Sequence, residues 1–175
     1  LGDVYKRQGK SEVLVHAAVE AANDGYNVLV LRPTGTLVHS YRERLPQCDG
    51  IVVETIHSGF VIYRGADRAA CRYSPPTRMR RYDLIVLDEA SQVDNNVGRL
   101  LCMAIDELPQ KPFVAIAAEF AQLNPISGGT FVRQLCDKLP RIEMRTIYRT
   151  SDTKLLDFLA SVRCTQPSKA MLQAF

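Results

Sequence analysis

The chain has 175 residues, 46% of them hydrophobic and 23% charged, with a formal net charge of +3. That suits one globular domain with its own core and excludes two large ones. The charge permits a nucleic-acid partner without arguing for one, and no apolar run approaches the roughly 20 residues that span a bilayer, so no membrane partner is expected.

Leu1 to Gln8 contains few large apolar residues and the adjacent bases Lys6-Arg7. It does not read as a buried strand. It looks like a translated adaptor or assembly scar, and residues 1–8 are expected to be a foreign leader in place of the native start. Gly9-Lys10-Ser11 follows and opens a helical pattern over Glu12 to Asn23, with Val13, Ala17, Val19 and Ala21 among polar residues. Backbone N–H groups at a helix N-terminus cradle phosphates, Lys10 would reach the β- and γ-phosphates, and Ser11 would ligate Mg2+. The tripeptide is common by chance and draws its weight from position. The full pattern G-x-x-x-x-G-K-[ST] also needs glycine at position 4, where this chain has Val4.

Val28 to Leu31, after the turn signal at Gly25, reads as a buried strand, and Thr36 to Leu45 as a helix. Ile51 to Val53, after Asp49-Gly50, reads as a second strand. Pro33-Thr34-Gly35 follows the first strand and Thr55-Ile56-His57-Ser58 the second. Hydroxyls and backbone N–H groups at such places can bind nucleic-acid phosphates, and His57 can stack on a base. A lone histidine is more often a structural hydrogen-bonder. Arg64 to Arg81 holds six arginines, one acid and Pro75-Pro76. It reads as an inserted loop, either simply solvated or in contact with nucleic acid.

Leu84 to Leu87 is a third strand, ending in Asp88-Glu89. Two carboxylates at a strand tip suit a Walker B arrangement, in which the first acid holds Mg2+ and the second polarises the attacking water. Acids in that position also cap helices. Val97 to Leu108 has helical spacing, and Phe113 to Ala117 is a fourth strand. The segment Glu119 to Pro125 comes next. Its Gln122 can contact a γ-phosphate and report its loss, or sit in a plain loop. Thr130 to Leu139 and Lys154 to Val162 are again helical in spacing. Between them, Arg149 can neutralise charge in a phosphoryl-transfer transition state, or lie idle on the surface. Strand–helix alternation with near-continuous apolar strands predicts an α/β fold with a parallel sheet covered on both faces. Ligands then bind at the carboxyl ends of the strands.

The five cysteines, Cys48, Cys71, Cys102, Cys136 and Cys164, form no CxxC pair. That usage suits reduced thiols inside a cell. The histidines do not cluster with them at ligand spacing, so no zinc site is expected.

Taken in order, these residues resemble superfamily 1B helicases of the RecD and PIF (petite integration frequency) type. Gly9 to Ser11 matches the end of the Walker A loop. Pro33 to Gly35 matches a Pro-Thr-Gly segment, and Thr55 to Ser58 a Thr-x-His-Ser segment. Asp88 to Ser91 matches the end of the Walker B strand, Ala118 to Pro125 matches Gly-Asp-Phe-x-Gln-Leu-Pro-Pro, and Tyr148-Arg149 matches the closing arginine. The resemblance covers nearly all of residues 9 to 163. Its specificity lies in the order and spacing of the motifs. Ala118-Glu119 departs from Gly-Asp, Asn124 from the first proline, and Val4 from glycine.

The resemblance implies a three-layer RecA-like P-loop NTPase domain with a mainly parallel sheet, incomplete at the N-terminus. It would occupy residues 9–150, and residues 151–175 would lead into a second such domain. ATP and Mg2+ would be the cofactors. Gly9, Lys10 and Ser11 would bind the nucleotide, with Ser11 and Asp88 serving Mg2+. Glu89 would act on the attacking water, Gln122 would sense the γ-phosphate, and Arg149 would be the finger. Pro33, Thr34, Thr55 and His57 would contact single-stranded DNA. The full protein would be a monomeric 5′-to-3′ translocase that unwinds duplexes in repair, recombination or telomere maintenance, in the nucleus or mitochondrion. The fragment alone is expected to be inactive. Three alternatives stay open. One is an RNA helicase of the up-frameshift type, whose Walker B often reads as Asp88 to Gln92 does. Another is a catalytically degenerate helicase-like interaction module. The last is another P-loop NTPase, which leaves Thr55 to Ser58, Gln122 and Arg149 unexplained.

Overall fold

A computed structural model of the chain describes residues 9–45, 49–60, 62–64, 71–73, 82–120, 125 and 128–144. The chain divides into two compact units, Lys10–Ile142 and a second made of Leu1–Gly9 with Glu143–Phe175. Within the second, the described residues are Gly9, Glu143 and Met144. Gly9 has φ +84°, a left-handed conformation that glycine adopts without penalty.

Lys10–Ile142 is an α/β unit. Its elements run α1 (Lys10–Asn23), β1 (Val28–Arg32), α2 (Gly35–Arg42), β2 (Ile51–Thr55), α3 (Ile56–Gly59), β3 (Ile62–Arg64) and β4 (Cys71–Tyr73). They continue with β5 (Leu84–Leu87), a 3-10 turn (Ala90–Gln92), α4 (Asn95–Asp106), β6 (Phe113–Ile116) and α5 (Thr130–Lys138). The main sheet has the order β2-β1-β5-β6, with every pairing parallel. All the strands read from the sequence are present. β1 and β2 run past their apolar runs to Arg32 and Thr55, and β6 stops just short, at Ile116.

Successive side chains on a strand point to opposite faces. Val28, Val30, Val53 and Val86 therefore pack on one side, against Val15 and Ala18 of α1 and Val38 and Tyr41 of α2. Leu29, Leu31, Ile85 and Leu87 pack on the other, against Ile56, Phe60, Val97, Leu101, Ala104 and Val132. The result is the expected three layers. β1 is buried at every residue, whereas Phe113 at the start of β6 is 80% exposed.

The buried stripe of α1 is offset from the one the sequence suggests. Val15 and Ala18 face the sheet, and Val13 is 54% exposed. The helix carries alanines or valines on most of its sides, so apolar spacing alone cannot select its inner face. α4 is less ambiguous. Asp94 caps it, accepting from the N–H groups of Asn96 and Val97 at 2.9 Å each. Val97, Gly98, Leu101 and Ala104 form its buried stripe. Gly98 sits mid-helix because α5 approaches there. A Cβ at this position would lie 3.0 Å from side-chain carbons of both Phe131 and Val132.

Part of the arginine-rich segment expected to be a loop is strand, with β3 and β4 pairing antiparallel from Ile62↔Tyr73 to Arg64↔Cys71. Ile62, Tyr63 and Tyr73 favour extended pairing, a signal hidden by the count of arginines. The helix expected over Lys154 to Val162 lies outside the described residues. Among the described residues no helix is long and apolar enough to cross a membrane.

Candidate functional site

Because the four sheet strands are parallel, their carboxyl ends share one edge. β5 delivers Asp88-Glu89 there. The ladder continues past it, with the Asp88 N–H donating to the Leu31 carbonyl at 3.1 Å and the Ala117 N–H to that of Leu87 at 2.9 Å. Glu89 then turns the chain in a left-handed conformation, φ 56° and ψ 39°, into the 3-10 turn. A non-glycine residue held there costs on the order of 1 kcal/mol or more. The turn is pinned by the Ala90 N–H donating to the Ala117 carbonyl at 2.9 Å. Oε2 of Glu89 is buried and has no hydrogen-bond partner among the described residues. A strained residue with an unsatisfied carboxylate oxygen suits a group that acts on a water or ligand.

Asp88 is 1% exposed, and both its oxygens are engaged. Oδ2 accepts from Nη1 of Arg32, and Oδ1 accepts from the Glu89 N–H at 2.8 Å. Arg32 is itself 5% exposed and lies over the ring of Tyr41, 5.1 Å from its centroid. Burial pushes the Tyr41 phenol well above its ordinary range, with a further push from the negative charge of Asp88. Among the described residues, Nε of Arg32 and the Tyr41 hydroxyl have no hydrogen-bond partner. Sequence reasoning missed both residues. The signal was present for Arg32, because pairing Leu31 with Leu87 sets a charge that ends β1 opposite the first acid after β5.

Lys10 is the first residue of α1, and its Nζ lies 3.3 Å from Oε2 of Glu119. Glu119 follows β6 and is 4% exposed; its N–H donates to Oγ of Ser91 at 3.4 Å. The helix start and the ends of β5 and β6 therefore converge. Ser11, also in the first turn of α1, is half-buried.

The expected nucleic-acid contacts stand on the neighbouring strands. Thr34 caps α2, accepting from the Leu37 N–H at 3.4 Å, and Thr55 caps α3, accepting from the Ser58 N–H at 3.0 Å. Both hydroxyls thus have structural work that the sequence reading did not assign. Pro33 is half-buried, and His57 is exposed. Gln122 and Arg149 lie outside the described residues.

The expected Mg2+ does not fit the arrangement at Asp88. A guanidinium already contacts one carboxylate oxygen and a backbone N–H the other, and a divalent ion would sit beside a buried positive charge. Among the described residues no cluster of three or more His, Cys, Asp or Glu could hold a metal ion.

Comparison with known proteins adds a family and a fold. The family model described as an AAA domain matches residues 8–174. No curated protein matches the chain. Among solved structures, Bacteroides Pif1 bound to ssDNA is 18% identical with a TM-score of 0.65, over 95% of this chain and 43% of that one. Pif1 from Bacteroides sp in complex with ADP-AlF4 is 20% identical with a TM-score of 0.61, over 95% and 42%. A structure of two coordinating Pif1 helicases at forked dsDNA is 18% identical with a TM-score of 0.65, over 95% and 44%. The chain therefore spans less than half the length of these proteins, and the likeness to them is one of fold.

Proposed function

Since the chain belongs to the AAA domain family and shares its fold with a helicase, we propose that it is the first motor domain of an ATP-dependent DNA helicase. The observation that carries this reading is the meeting of Lys10, at the start of α1, with Glu119 after β6, beside Asp88-Glu89 after β5. That is where a parallel α/β sheet binds phosphate.

On this reading Gly9, Lys10 and Ser11 hold the nucleotide phosphates. Glu89 orients and polarises the attacking water through its unsatisfied oxygen. Gln122 responds to the γ-phosphate, and Arg149 offsets its charge in the transition state. Pro33, Thr34, Thr55 and the exposed His57 lie towards single-stranded DNA. In the whole protein a second motor domain closes on ATP and drives 5′-to-3′ movement.

The test is nucleotide binding followed by turnover in the whole protein. Glu89→Gln should abolish DNA-stimulated ATP hydrolysis and spare ATP binding; retained turnover removes Glu89 from its role. Affinities for DNA and RNA at matched salt separate this reading from an RNA helicase. One observation favours a second reading, a helicase-fold module that binds partners without turnover. Arg32 occupies the carboxylate expected to serve the metal. Nucleotide binding without nucleic-acid-stimulated hydrolysis would select that reading.

A further inference from the structure

An arginine at the end of a central strand is costly unless its charge is met. Arg32 meets it at Asp88, one register step beyond the paired Leu31 and Leu87. The guanidinium has little freedom to leave. It is 5% exposed, and it stacks on Tyr41, which is 1% exposed and itself packed among Val28, Val30 and Val86. The other oxygen of Asp88 is spent on the Glu89 N–H. A divalent ion would need the same carboxylate from the same small space, and the repulsion between two buried cations is strong.

We propose that Arg32 is the resident cation of the Asp88 carboxylate and keeps divalent metal off it, so that any nucleotide held at Lys10 is held without a metal at Asp88. This rests on the nucleotide-site reading for its meaning, though not for its test. Arg32 acts as a positioning residue. It fixes Asp88, and through the Asp88–Glu89 hydrogen bond it steadies the left-handed turn that aims Glu89.

Mn2+ reports metal binding directly by electron paramagnetic resonance, on the protein alone and without nucleotide. Wild type and Asp88→Asn should titrate alike, to within about twofold. Asparagine keeps one acceptor oxygen and nearly the same shape, and removes the charge that a metal ion would need. Arg32→Gln should gain a site about tenfold tighter than any in wild type, and Arg32→Gln with Asp88→Asn should lose it again. The proposal is overturned if wild type has an Mn2+ site that Asp88→Asn removes, or if folded Arg32→Gln gains none. Should circular dichroism show Arg32→Gln unfolded, the comparison of wild type with Asp88→Asn decides alone. Binding of a fluorescent ADP analogue in excess chelator, lost in Lys10→Ala, tests the nucleotide site separately. Its failure would sink that reading and leave the Mn2+ result standing.

Discussion

Removing one partner of a buried charge pair leaves the other in the core with nothing to replace it. Asp88→Ala does this to Arg32. With Asp88 1% and Arg32 5% exposed, water cannot take over the lost contact, and the expected loss is about 3 to 5 kcal/mol. The Glu89 N–H also loses its 2.8 Å acceptor, which adds about 1 kcal/mol at a turn already strained. For a chain of this size the melting temperature should fall by roughly 8 to 24 °C. Replacing both residues at once, Arg32→Met with Asp88→Leu, removes the charges together and should recover most of the loss, to within about 1 kcal/mol of wild type. Urea unfolding of Arg32→Met, Asp88→Leu, the double variant and wild type gives the coupling energy directly. If Asp88→Ala costs less than about 1 kcal/mol, or the double variant is worse than either single one, Arg32 is not paired in the core and the reasoning fails.

Other consequences are open to simpler measurements. Asp94→Ala removes the acceptor for two N–H groups of α4 and should cost about 1 kcal/mol in urea unfolding; no measurable change would mean that the cap is replaced by water. Glu119→Gln frees Lys10 from an ion pair and should tighten a fluorescent ADP analogue by about threefold to tenfold; weaker binding would mean that Glu119 itself supports the nucleotide site. Tyr41 should stay neutral in the folded protein where an ordinary tyrosine of pKa 10.0 ionises. The unfolded chain then loses this proton first, so Tyr41 lowers stability as pH rises above 10.0, with no effect below it. In a phenolate absorbance titration Tyr41→Phe should remove a component that appears only on unfolding. A component that titrates normally would place Tyr41 in water.

The sheet was legible because its strands are continuous apolar runs bounded by turn residues. Val28 to Leu31 and Leu84 to Leu87 could hardly be anything else, and the order of the strand-end motifs followed from them. The position of Asp88-Glu89 at a strand tip was legible for the same reason, since the pair directly follows the apolar run of β5. Long-range pairing was not legible. Lys10 and Glu119 are far apart in the chain, and only the closed sheet brings them to 3.3 Å. Glu119 could be noted as a departure from aspartate, but not that its arm reaches the lysine. The roles of Thr34 and Thr55 were also ambiguous from sequence. A threonine after a strand and before a helix is equally suited to capping and to binding phosphate, and in this structure both hydroxyls cap. The strand pairing at Ile62 was hidden because Ile62 and Tyr63 fall just before the arginine-rich segment, and its six arginines outweigh Tyr73 within it.

The two ion pairs at the sheet edge differ in what they allow. Lys10 is 16% exposed on a flexible four-carbon arm, so on the proposed reading its charge can be handed from Glu119 to an arriving phosphate. A triphosphate carries several negative charges against one carboxylate and wins that exchange. Arg32 is 6% exposed in its side chain and wedged on an aromatic ring, so its charge cannot be handed over without opening the core. The pair at Lys10 is therefore exchangeable, and the pair at Arg32 is fixed. Substrate binding and metal-assisted turnover, which a motor needs together, become separable properties of one chain. On the proposed reading, nucleotide binding depends on the exchange at Lys10, while a metal at Asp88 would require a change at Arg32.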